Sequence, residues 1–151
     1  MSLSLNHFSI RTQDMAATKD FYVSVLGLQV GPRPDFPFPG YWLYQGPLSE
    51  YANAAVHIFA SDANGSTGLS NYLGDRNEQK LRGSGALDHV AFFATGLATM
   101  LARLQLLGIE PRRRDVPGAG LHQLFLDDPN DIVVELNYPF AEKQALDAQE
   151  V

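Results

Sequence analysis

Four side chains able to bind a metal ion stand inside runs that are otherwise apolar. They are His7 in Leu5-Asn6-His7-Phe8-Ser9-Ile10, His57 in Ala55-Val56-His57-Ile58-Phe59, His89 in Leu87-Asp88-His89-Val90-Ala91-Phe92 and Glu135 in Val133-Val134-Glu135-Leu136-Asn137. Taken singly, a strand histidine is commonly a hydrogen-bonded structural side chain. A buried carboxylate without a partner is costly, so Glu135 asks for one. Taken together, two or three imidazoles and one carboxylate make a donor set for a divalent metal ion, namely Fe2+, Mn2+, Ni2+, Co2+ or Zn2+. Such an ion acts as a Lewis acid on oxygen ligands.

The elements that carry these residues occur twice. His7 and His89 lie 82 residues apart, Gly27 and Gly108 lie 81 apart, and His57 and Glu135 lie 78 apart. Each half opens with a short strand-like run and continues into a helical stretch, Met15 to Leu26 and Leu97 to Leu107. Each helix meets a glycine suited to a left-handed cap, in Leu26-Gly27-Leu28 and Leu107-Gly108-Ile109. A short run after each glycine, then Tyr41-Trp42-Leu43-Tyr44 or Gln123-Leu124-Phe125-Leu126, then the final apolar run, supply three more strands. The expected layout is a first strand–helix–three-strand module over 1–60, a connecting loop over 61–85, a second module over 86–140 and a polar tail over 141–151. The modules are expected to share one core as a single structural domain. Side chains alternate along a strand, so His57 shares a face with Phe59, and Glu135 with Val133 and Asn137. Packing of the modules by pseudo-twofold symmetry would let His7, His57, His89 and Glu135 meet.

Further residues carry weaker signals. His122, before Gln123-Leu124-Phe125, reads as a proton shuttle or substrate contact, or as a strand-edge histidine bonded to backbone or water. Asn137 reads as an orienting partner for a ligand or substrate. The run from Pro32 to Tyr44 holds four prolines and five aromatics; Phe38 and Trp42 read as an apolar wall for a ligand, or as core packing and a dimer contact. In Arg112-Arg113-Arg114, Arg113 reads as a holder of an anionic substrate tail, or as part of a solvated loop.

Composition narrows the field. Seventeen acidic against eleven basic residues give a net charge of -6, a poor field for nucleic acid or an anionic membrane. The absence of cysteine removes thiolate metal sites, disulfides and a cysteine nucleophile. No phosphate loop or nucleophile elbow occurs. No basic leader and no apolar run of about 20 residues is present, which points to a cytoplasmic protein acting on a small molecule.

The repeated unit resembles the vicinal oxygen chelate superfamily, which contains glyoxalase I, extradiol dioxygenases, methylmalonyl-CoA epimerase and the fosfomycin and bleomycin resistance proteins. The resemblance is carried by Leu5-Asn6-His7-Phe8, Asp20-Phe21-Tyr22 with Leu26-Gly27-Leu28, Leu87-Asp88-His89-Val90-Ala91-Phe92, and Gln123 to Pro129 through Val134-Glu135-Leu136. It implies an α+β fold in which two tandem βαβββ modules form an open eight-stranded cup with helices outside, and it implies a homodimer. It also implies that His7, His57, His89 and Glu135 occupy the four metal-cup positions, with Glu135 and His57 available for proton transfer. His7, His89 and Glu135 resemble the two-histidine-one-carboxylate set of the dioxygenases. His57 stands where glyoxalase I enzymes commonly place Glu or Gln. The turn Asp128-Pro129-Asn130-Asp131 lacks the glycine many relatives carry at its last position. The implied function is a metal-dependent isomerase or lyase of the glyoxalase kind, or an Fe2+ extradiol dioxygenase, acting on two neighbouring substrate oxygens. The alternative is a binding protein of the bleomycin-resistance type.

Overall fold

The computed structural model describes residues 3–61, 68–74, 77 and 80–149. The chain divides into two compact units, Met1–Arg82 and Gly83–Val151. The first holds β1 (Phe8–Thr12), α1 (Met15–Asp20), β2 (Gln29–Gly31), β3 (Gly40–Tyr44), β4 (Ala54–Ala60) and a short α2 (Leu69–Leu73). The second holds β5 (His89–Phe93), α3 (Leu97–Leu106), β6 (Arg112–Val116), β7 (Leu121–Asp127), β8 (Val133–Pro139) and α4 (Phe140–Asp147). Part of the connecting segment expected over 61–85 lies outside the described residues; α2 falls within its described part. No helix among the described residues is long and apolar enough to cross a membrane.

The expected repetition is present in the ladders. The sheets run β1-β4-β3-β2 and β5-β8-β7-β6, and in each the first and last strands of the module pair in parallel. Alternation then sorts the side chains. In the first unit Ile10, Leu43, Val56 and Ile58 are buried, as are Tyr22 and Val25 just after α1, and α1 itself contacts β4. In the second, Leu124, Leu126, Val134, Leu136 and Tyr138 form the buried face, and Leu97 and Leu104 of α3 are buried too. Side chains of this size stabilise a fold by roughly 1.5–3 kcal/mol each when fully buried.

The helix ends follow the glycines, with one difference. After α3, Gly108 N–H bonds to the Gln105 carbonyl and Ile109 N–H to that of Leu104, with Gly108 at φ 67°. After α1 the chain widens into a π-type turn over Phe21–Val25 before Gly27, so Leu28 N–H reaches back to the Tyr22 carbonyl, one residue farther. At the Asp128–Asp131 turn Asp131 itself takes the left-handed conformation, at φ 63°. The Asp128 carboxylate holds it there, accepting from Asn130 N–H at 2.7 Å and Ile132 N–H at 2.9 Å.

The polar C-terminal stretch is helical over Phe140–Asp147. Glu142 reaches back to the start of α3, where its carboxylate accepts from Gly96 N–H at 2.9 Å and Leu97 N–H at 2.6 Å. Those are the unsatisfied donors of a helix N-terminus, and a carboxylate is their favoured partner.

Candidate functional site

The parallel strand pairs give each unit the same local geometry. His89 is level with Val133, so Glu135 lies two residues beyond it on β8. Phe8 is level with Val56. Continuing that register back one residue sets His7 level with Ala55, and His57 two residues beyond. Each unit therefore brings a histidine at the head of its first strand beside one polar residue of its last strand.

In the first unit the two rings stack. His7 and His57 lie 3.9 Å apart between centroids at 18°, and Trp42, the cross-strand partner of His57, covers its other face at 4.1 Å and 7°. His57 is 7% exposed. Burial above all, and then His7 beside it, push its pKa from 6.5 down to about 4, against a raising hydrogen bond with the Ala54 backbone. At neutral pH it is therefore an uncharged imidazole, the form that ligates metals and accepts protons. Asn6 Oδ1 lies 2.6 Å from His7 Nδ1. An amide oxygen only accepts, so Nδ1 carries the hydrogen and Nε2 is left with its lone pair.

Beyond Trp42 the aromatic layer continues. Phe36 packs near Trp42 and stacks on Phe38, Tyr72 leans on both phenylalanines, and Phe38 meets Phe59 edge to face. The Arg33 guanidinium lies over Phe36 and Phe38 and donates to the Phe38 and Gly40 carbonyls. Trp42 Nε1 and Arg33 Nε are buried N–H groups without a partner among the described residues.

In the second unit Glu135 is clamped. Its Oε1 accepts from Gln123 Nε2 at 2.9 Å and Asn137 Nδ2 at 2.7 Å, and Gln123 also donates to Asn137 Oδ1 at 2.9 Å. Its Oε2 faces His89 Nε2 at 3.3 Å. The other nitrogen of His89, Nδ1, lies 2.7 Å from Asp88 Oδ1. An ionised Asp88 requires the hydrogen on Nδ1, which points the Nε2 lone pair at Glu135. Two electron-rich atoms held that close need a cation between them, either a proton or a metal ion. Two donors bonded to one ion at about 2.0–2.2 Å stand roughly 3.0–3.4 Å apart, so the spacing fits a metal edge. A carboxylate behind a ligating histidine is also the usual outer partner.

The remaining expected site residues divide between the faces of the second sheet. Asn137 joins the Glu135 clamp and also lines a cavity of about 370 Å³ with Phe93, Leu121 and Pro139. His122 does not reach that face. It alternates with Gln123 onto the buried side with Leu124 and Leu126, where its Nδ1 pairs with Asp115 at 2.6 Å. Arg113 goes to that side as well, 3.8 Å from Glu110, and both line a separate cavity of about 930 Å³ along α3 and α4. In the first unit Trp42 lies on His57, while Phe38 sits in the buried cluster with Phe59 and Leu69. Among the described residues no group of three or more histidine and carboxylate side chains closes on one point.

The residues that hold the donors were not singled out in the sequence: Asn6 behind His7, Asp88 behind His89, and Gln123 on Glu135. A signal for the first two was present, because an Asx residue immediately precedes each repeated histidine.

The sequence matches the Glyoxalase/Bleomycin resistance protein/Dioxygenase superfamily over residues 4–136, nearly the whole chain. The chain belongs to this superfamily. Solved superfamily structures share its fold. The glyoxalase family protein from Enterococcus faecalis is 25% identical, with 89% of this chain and 96% of that one covered and a TM-score of 0.57. The trypanothione-dependent glyoxalase I of Leishmania major is 17% identical over 98% and 95% of the two chains, at 0.60. The fosfomycin resistance protein FosX of Listeria monocytogenes is 15% identical over 95% and 99%, at 0.58. No curated protein sequence matches the chain.

Proposed function

We propose that this superfamily member is a metal-dependent enzyme acting on a small substrate with two neighbouring oxygens, by isomerase or lyase chemistry or by extradiol ring cleavage. His7, His57, His89 and Glu135 are its metal-facing residues. The observation that carries the reading is the His89–Glu135 pair, whose facing atoms are 3.3 Å apart while their outer atoms are held by Asp88, Gln123 and Asn137. A divalent ion bound there supplies Lewis acidity toward the substrate oxygens.

The chain's own residues divide the remaining work. Gln123 and Asn137 occupy Glu135 Oε1, leaving Oε2 to ligate or to exchange a proton with the substrate. His57, neutral at pH 7, either ligates or takes a proton. As a ligand it would help to hold the ion; as a free base it would exchange a proton with the substrate. The chain acts, on this reading, as a cytoplasmic homodimer, which sizing in solution tests directly.

Metal analysis of the purified protein tests the reading. One divalent ion per chain is expected, lost on Glu135→Gln and also on His89→Ala. Full metal content in both variants overturns it. The continuous aromatic layer behind His57 favours one second reading, a protein that binds an aromatic molecule without chemistry. Ligand binding that persists unchanged in metal-free protein would select that reading.

A further inference from the structure

The strand β6 presents three arginines in succession, and alternation assigns them unequal surroundings. Arg112 shares the Glu135 face, and its charge is taken by Asp127 at 3.1 Å. Arg113 turns to the other face and Glu110. Arg114 returns to the Glu135 face and makes no ion pair with any described residue. Its guanidinium lies over the Phe125 ring, 5.3 Å from the centroid. Phe125 is the cross-strand neighbour of Glu135, and its ring meets His89 edge-on at 6.4 Å and 90°. One aromatic ring thus supports an uncompensated cation on one side and touches a metal-facing histidine on the other.

We infer that Arg114 anchors an anionic group of the substrate, so the substrate class is an anion whose charge lies apart from its two metal-facing oxygens. This rests on the proposed function and adds the substrate's second recognition point. Strands lie about 4.8 Å apart, so β6 is roughly 10 Å from β8 across β7, and a long arginine side chain closes part of that gap. Glu135 offers one negative charge, which a divalent ion more than offsets, and Asp127 is already engaged by Arg112. With such an ion bound the face would carry net positive charge, and Phe125 holds its unpaired guanidinium in place. A guanidinium fork binds a carboxylate or phosphoryl group through two parallel hydrogen bonds. The cation–π contact fixes its plane without using those donors.

The test uses the metal-loaded full chain and two probes with the same pair of vicinal oxygens, catechol and 3,4-dihydroxybenzoate, which differ in one carboxylate. Titration calorimetry of wild type, Arg114→Gln, Arg114→Lys and Arg113→Gln supplies the affinities. Arg114→Gln is expected to weaken 3,4-dihydroxybenzoate about tenfold while leaving catechol binding and metal content unchanged. Arg114→Lys should restore part of the loss, and Arg113→Gln should behave as wild type. Equal effects of Arg114→Gln on both probes, or none on either, overturn the inference while metal-dependent catechol binding leaves the proposed function standing. An Arg114-dependent preference for the carboxylated probe that survives metal removal supports the anchor and overturns the metal reading. Binding of neither probe overturns both.

Discussion

His57 makes the stability of the metal-free protein depend on pH in a direction that the stack determines. Its ring is enclosed between His7 at 3.9 Å and Trp42 at 4.1 Å, and burial with the neighbouring imidazole lowers its pKa from 6.5 to about 4. The folded chain thus holds a neutral imidazole where the unfolded chain takes up a proton. Stability from this group is complete above pH 6.5 and is lost as pH falls from there to 4. At 1.36 kcal/mol per unit, the shift corresponds to at most about 3 kcal/mol. Denaturant unfolding at pH 7.5, 6, 5 and 4.5 should show the decline, and His57→Gln should flatten it by that amount relative to wild type. The only tryptophan supplies a second signal from the folded state, since Trp42 lies flat on His57. Its emission should drop as the imidazolium forms near pH 4, and the drop should vanish in His57→Gln. A fluorescence transition centred near 6.5, or a pH profile identical in the variant, refutes the assignment of a desolvated, stacked ring.

Three further outcomes follow from single contacts. Asp88→Ala removes the partner of His89 Nδ1 and should lower metal affinity 10- to 100-fold, the usual effect of losing an outer-sphere hydrogen bond, in a competition titration against a chelating dye; unchanged affinity removes Asp88 from the site. Asp131→Gly relieves a left-handed conformation that costs an ordinary residue roughly 1 kcal/mol, so thermal unfolding should shift upward by a few degrees; a downward shift would mean that the Asp131 side chain matters more than its backbone. Glu142→Ala leaves two N–H groups at the head of α3 without their carboxylate and should cost about 1 kcal/mol, read by chemical denaturation; no change would show that water replaces it fully.

The repeat was legible because its parts are local. Helix spacing, the closing glycines and the apolar strand runs are each decided within a few residues, and together they mark two copies of one module. What was missed depends on distant partners. Asp14 caps α1 from within its own turn, whereas α4 is tied through Glu142 to residues more than forty positions earlier, and none of its own residues is fully buried. The π-type turn before Gly27 has the same character, since nothing local distinguishes Phe21–Val25 from an ordinary helix end.

For the site, alternation was the underused signal. Leu124 and Leu126 define the buried face of β7, and His122 stands two and four residues before them, so it had to share their side rather than that of Glu135. The same argument places Gln123 and Phe125 opposite Asn137 and Glu135, where one supplies the clamp and the other supports Arg114. On β6 alternation alone could not choose between Arg113 and Arg114, because three identical residues in a row carry no pattern. Their faces were fixed only by pairing with β7, through Arg113 with Leu124 and Arg114 with Gln123. Donor identity is thus written in single residues, but the positioning of each donor is written in its neighbours. An Asx before each histidine, a glutamine donating to the carboxylate and a phenylalanine beneath the arginine turn four common side chains into a directed set.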